Sequence, residues 1–215
     1  MDRDIAFLIA EDQDIVSLGL KISLEEFSRL KLLGLAKDGE KAVEMALSLK
    51  PDLVIMDLGL PRLDGIQATA KICHAEPAIK ILVMSSREKA RDIFACFGVG
   101  ASGFCRKESS AGEVYTAMQE IMDGQLAIEA KVAGQILAGW QELKSSTQLV
   151  QSDGKAFAFS EMELQIVALI ADGLNNSAIA AKLGQSVDTL IEHKQKLKHS
   201  LSCLGSILVA QGDAC

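Results

Sequence analysis

The run Leu53-Val54-Ile55-Met56, followed directly by Asp57, constrains this chain more than any other stretch. Four consecutive apolar residues describe a strand buried on both faces, as in the middle of a parallel sheet. A carboxylate at the carboxyl end of such a strand projects into the crevice where open α/β sheets hold their ligands. Pro61 and Gly65 punctuate the loop beyond it before a helical pattern resumes.

The neighbouring segments repeat this arrangement. Residues 5–10 form a second apolar strand, which ends in Glu11 and Asp12. Helical spacing follows over 14–27, strand character over 30–36, and an amphipathic helix over 39–49 that Pro51 closes. Beyond Asp57 come a helix over 66–73, a strand over 79–84 with Ser85 and Ser86 at its end, and a helix over 88–97. A short strand at 103–105 leads to Lys107, and a last helix covers 110–122. Strand and helix alternate five times, which predicts a doubly wound parallel sheet with right-handed crossovers.

These strand ends define a chemistry. Clustered carboxylates bind a hard cation, and Mg²⁺ accepts one or two of them while keeping room for phosphate oxygens. A hydroxyl (Ser85) and an ammonium (Lys107) at other strand ends would hold a phosphoryl group from the opposite side. Asp57 can then act as a nucleophile that becomes an aspartyl phosphate. Protein catalysis of such a step is mostly positioning and electrostatics.

Composition narrows the setting. The 215 residues are 49% hydrophobic, enough for one large or two small cores, and the net charge of -7 disfavours indiscriminate binding to nucleic acid or anionic membrane. Met1-Asp2-Arg3-Asp4 lacks the order of a signal peptide, and no apolar run reaches membrane-spanning length. A cytoplasmic protein without a membrane partner is the expectation. Cys73, Cys96, Cys105, Cys203 and Cys215 show no paired spacing and read as free thiols.

Glu11-Asp12, Ile55-Met56-Asp57, Leu60-Pro61 with Asp64-Gly65, Ser85-Ser86, and Gly100-Ala101-Ser102-Gly103-Phe104 leading to Lys107 resemble the receiver domains of two-component response regulators. The resemblance covers about the first 125 residues. It implies a flavodoxin-like (βα)5 receiver in which Asp57 accepts phosphate from a histidine kinase and Glu11 and Asp12 help bind Mg²⁺. By the same resemblance Gly59 offers its backbone carbonyl to the metal, Ser85 and Lys107 contact the phosphoryl group, and Phe104 is the switch aromatic. It also implies that phosphate shifts a two-state equilibrium, with regulated self-association or release of the second domain.

Residues 128–147 place Val132, Ile136, Leu137, Trp140 and Leu143 at near-helical spacing, which predicts a helical linker. Polar, turn-rich sequence then marks a boundary near residue 152. The expected units are a receiver over 1–127, a linker over 128–152 and an all-α domain over 153–215. In the last, Ser160 and Glu163 form a capping-box pattern, Gly173 ends that helix, a short helix covers 178–183, and Ser186 caps a third over 187–201. Helix, short helix, turn and helix is a helix-turn-helix layout. A separate final helix is expected over 204–211.

Phe159-Ser160 with Glu163, Gly173-Leu174-Asn175-Asn176, Ile179-Ala180, Leu183, Ser186, Thr189-Leu190 and His193 resemble the C-terminal domain of NarL/FixJ (LuxR-like) regulators. That resemblance implies regulation of transcription through DNA, with Thr189, Lys194, Lys196 and Lys198 as the candidate DNA contacts and His193 as a structural residue. The departures open a second reading. Ile191 and Glu192 follow Thr189-Leu190 where relatives usually carry a base, and from Asp153 onward there are five lysines, no arginine and seven acids, a net charge of -2. A helix that grips phosphates is normally basic. The alternative is a degenerate helix-turn-helix domain acting through protein contacts, with Ile191 as an outward-facing apolar anchor. No nucleophile-base set or metal cluster marks an enzymatic output.

Overall fold

A computed structural model describes residues 4–86, 89–146 and 157–210. Its centre is a six-stranded, all-parallel sheet of order β2-β1-β3-β4-β5-β6. The strands are β1 (Ile5–Ala10), β2 (Leu30–Ala36), β3 (Leu53–Met56), β4 (Lys80–Ser85), β5 (Gly103–Arg106) and β6 (Ala127–Ile128). The first five match the sequence expectation. The sixth does not: its two residues add to the edge of β5, pairing Gly103 with Ala127 and Phe104 with Ile128.

The crossover helices are α1 (Asp14–Glu25), α2 (Gly39–Leu49), α3 (Gly65–Ala75), α4 (Ala90–Gly98) and α5 (Ala111–Met122). The expected start of α4 at residue 88 lies outside the described residues. Several helices begin at side-chain caps, including Asp38, Asp64 and the reciprocal Ser110–Glu113 box. Strand alternation divides the core in two. Phe7, Ile9, Ile55, Leu82 and Met84 face α1 and α5, while Leu8, Val54, Met56, Val83 and Phe104 face α2, α3 and α4.

The second of these cores does not stop at α4. Helix α6 (Ala130–Ser146) supplies Val132, Ile136 and Trp140, and the C-terminal helices α7 (Glu161–Ala171), α8 (Asn176–Leu183) and α9 (Val187–Ala210) continue the same cluster through Ile166, Ile179, Leu190, Leu201 and Leu208. Residues Ile93 through Phe97 of α4 are therefore all buried, between the sheet on one side and α6 and α9 on the other. Trp140 packs edge-on against Phe157 and Phe159, with ring centroids 5.8 and 5.0 Å away, joining α6 to the segment that leads into α7. Residues 147–152 of the expected linker lie outside the described residues.

Helix α9 corrects one expectation. The helices read over 187–201 and 204–211 are a single helix ending at Ala210, with residue 211 outside the described residues. An interior glycine costs a helix about 1 kcal/mol, yet Gly205 lies within α9 because its missing Cβ lets the helix lie against α4. Leu201, Leu204 and Leu208, spaced three and four apart and buried, hold the second half in place. Among the described residues no helix is long and apolar enough to cross a membrane.

Candidate functional site

Asp57 stands directly after β3, and its backbone N–H donates to the Ala10 carbonyl at 2.9 Å, tying it to the adjacent strand. Its carboxylate is buried, as is that of Glu11, while Asp12 is exposed. One carboxylate oxygen from each of the three lies within 4.8 Å of the others. Lys107 enters from the end of β5: its Nζ is 2.7 Å from Glu11 Oε2 and 3.0 Å from Asp57 Oδ2.

The electrostatics follow from that crowding. Burial pushes the Glu11 carboxyl above its usual range and the Asp57 charge adds to the rise, against hydrogen bonds from Lys107 and Gln13. Burial alone would lower the Lys107 ammonium, but Glu11 and Asp57 together hold it above its usual value. Three carboxylates face one ammonium, so negative charge is in excess. An all-oxygen donor set with surplus charge suits a hard divalent cation such as Mg²⁺.

The other receiver-side candidates gather around this centre. Ser85 is buried at the end of β4, and its carbonyl accepts from the Lys107 N–H at 3.3 Å. Phe104 is wholly buried in the core beneath α4. Gly59 is exposed, and a Cβ there would lie 3.2 Å from Asp57 Oδ2, so this flank of the acceptor carries no side chain. Gly65 is required by space: its Cβ would fall 2.0 Å from the Asp57 carbonyl oxygen.

The candidates on α9 do not form one surface. Thr189 hydrogen-bonds Ser186 through its N–H at 3.1 Å and its hydroxyl at 2.8 Å, closing the start of the helix. Lys194 is 3% exposed. Its Nζ donates to Asn176 Oδ1 at 3.1 Å and lies 3.6 Å from Glu120 of α5, so in this arrangement it faces the receiver and not solvent. Lys198 is half-buried near Cys73 and Lys80, and burial, aided by Lys80, lowers its pKa. Only Lys196 of the three stands fully exposed. Ile191 is half-buried, less exposed than its neighbours Asp188 and Glu192. The exposed face of α9 carries those two acids with Gln195, Lys196 and His199.

Two polar groups escaped sequence reasoning. Asn176 Nδ2 donates to Glu120 at 3.0 Å and to Gln125 at 3.2 Å, joining α8 to α5. Glu129 binds Arg106 and Ser109 on either side of Lys107. For Glu129 a signal existed: Leu126-Ala127-Ile128 is a short apolar run ending in an acid, as at the ends of β1 and β3.

The receiver-domain model of response regulators matches residues 7–119. The transcriptional regulatory protein LiaR of Bacillus subtilis is 31% identical over 189 residues, covering 88% of this chain and 87% of LiaR. Among solved structures, a LuxR-family two-component response regulator from Aurantimonas sp. SI85-9A1 is 28% identical, with a TM-score of 0.61 over 63% of this chain and 97% of that one. The Salmonella typhimurium response regulator RcsB is 21% identical, with a TM-score of 0.59 over 97% of this chain and 99% of that one, a likeness of fold along nearly the whole length. With an oxygen-lined crevice at the carboxyl edge of a parallel sheet and a helical C-terminal domain on the same chain, the protein belongs to the response regulators, in their NarL/FixJ (LuxR) branch.

Proposed function

We propose that Asp57 accepts a phosphoryl group from the phosphohistidine of a cognate histidine kinase, and that the C-terminal helix-turn-helix domain converts its state into regulation of transcription. The observation that carries the first half is Lys107, poised between Glu11 and Asp57. An Asp57 oxygen attacks phosphorus, the P–N bond to the donor imidazole breaks, and the imidazole leaves with a proton. Lys107 then exchanges Glu11 for a phosphoryl oxygen and balances the new charge. Ser85, at the neighbouring strand end, supplies a further contact. Glu11, Asp12, Asp57 and the Gly59 carbonyl would hold Mg²⁺, which supplies charge neutralisation between two anions.

The output half rests on the helix-turn-helix order of α7, α8 and α9 and on likeness to relatives such as LiaR, a transcriptional regulatory protein. DNA is the partner, through Thr189, Lys196 and, once the helix is uncovered, Lys194 and Lys198. Phosphorylation-dependent homodimers and a cytoplasmic setting complete this reading. The acidic exposed face of α9 favours a second one, in which the domain binds a protein partner. Titrating the phosphorylated chain against a pool of genomic DNA fragments separates them. Specific retention, with a log–log salt slope of about -0.9 per phosphate contact, supports DNA. Absence of any retained fragment supports the protein partner.

A further inference from the structure

The turn that delivers Lys107 is gripped from outside the phosphorylation site. β5 ends at Arg106, and Lys107 follows at once. The Glu129 carboxylate accepts from the Arg106 backbone N–H at 3.1 Å, from Arg106 Nε at 2.6 Å and from the Ser109 hydroxyl. Its three donors thus bracket Lys107 on both sides. Glu129 is itself fixed: its N–H donates to the Phe104 carbonyl at 3.4 Å, and its own carbonyl accepts from Ala133 at 2.9 Å. It is the joint where β6 becomes α6. The Arg106 and Glu129 side chains are 16% and 14% exposed, so this pair is sheltered from the screening that weakens surface ion pairs.

We propose that Glu129 is a positioning residue of the Asp57 site, fixing Lys107 through the turn at 106–109 and coupling the state of that site to α6. The proposal rests on the reading of Asp57 as phosphoacceptor. When Lys107 exchanges Glu11 for a phosphoryl oxygen, the turn that carries it shifts, and that turn is hydrogen-bonded both to β4, through Ser85, and to Glu129. The shift therefore enters the first turn of α6. That helix packs on α4 and α7 and sets Trp140 edge-on against Phe157 and Phe159. Because Trp140 is the chain's single tryptophan, its fluorescence reports the far end of the route.

The test compares full-length wild type, Asp57→Asn and Glu129→Gln, each incubated with acetyl phosphate and Mg²⁺ and followed by intact mass and by Trp140 emission. Wild type is expected to gain one phosphate with a change in emission, and Asp57→Asn neither. Glu129→Gln, folded by circular dichroism, is expected to gain its phosphate about tenfold more slowly, as small misplacements of a reacting group do, with the emission change lost. A purely structural clamp would alter melting and leave the rate per folded molecule alone. Glu129→Gln reacting and responding as wild type overturns the proposal and leaves the Asp57 reading standing. Wild type that takes up no phosphate overturns both. Should Glu129→Gln not fold, Ser109→Ala removes one donor, keeps the ion pair, and is read the same way.

Discussion

Gly98 of α4 and Gly205 of α9 meet backbone to backbone. A Cβ on Gly205 would lie 1.9 Å from the Phe94 carbonyl oxygen, and one on Gly98 would lie 2.4 Å from the Gly205 carbonyl carbon. The Ser206 hydroxyl donates to the Gly98 carbonyl at 3.2 Å across the same crossing. This is where the C-terminal helices share a core with the receiver. Gly205→Leu is therefore expected to force α9 off α4 and to cost about 1–3 kcal/mol, the range of an overpacked core. Gly19 of α1 has nothing within 4 Å of its Cβ position. There, Gly19→Ala should stabilise by about 0.5–1 kcal/mol through helix propensity and unfolded-state entropy alone. Urea unfolding of the two variants tests the contrast.

Lys194 and Glu120 form the polar part of the same junction. Burial lowers the Lys194 ammonium against the attraction of Glu120. Removing Glu120 strands a buried cation, so Glu120→Ala should cost about 3 kcal/mol, whereas Lys194→Met removes the charge, keeps the volume and should be neutral or stabilising by about 1 kcal/mol. Equal losses from both substitutions, measured by thermal and denaturant unfolding, would show that the pair is not buried in solution.

Glu129 makes a pH-dependent contribution of known sign. Burial, the largest influence, raises its carboxyl pKa, but hydrogen bonds from Ser109 and Arg106 and the Arg106 charge outweigh it and leave it below 4.5. A depressed folded-state pKa stabilises the fold above the unfolded value and is lost as pH falls through the folded one. Wild type should therefore lose stability below about pH 4.5 more steeply than Glu129→Gln. Parallel curves for the two proteins would contradict this.

The sheet and its crevice were legible because each strand end pairs an apolar run with a residue whose type states its role: Glu11-Asp12, Asp57, Ser85, Lys107. Buried parallel strands read as continuous apolar runs, and period and punctuation place their tips. The C-terminal surface was less legible. Lys194 reads as a solvated charge on a helix, yet the fold buries it, with its Nζ set against Asn176 of α8 and Glu120 of α5. Ile191 reads as outward between Asp188 and Glu192, yet the turn of α9 leaves it half-covered. Residues 202–203 read as a break between two helices, yet α9 runs through them unbroken, its second half held where Gly205 meets Gly98 of α4. Two-residue β6 is too short for any periodicity, so Glu129 looked like part of a linker.

The most direct measurement is the intact mass of wild type and Asp57→Asn after incubation with acetyl phosphate and Mg²⁺, with a chelator in parallel. One added phosphate on wild type, none on Asp57→Asn and none without the metal is the expected result. Equal uptake by the two proteins would contradict Asp57 as the acceptor and, with it, the role given to Lys107.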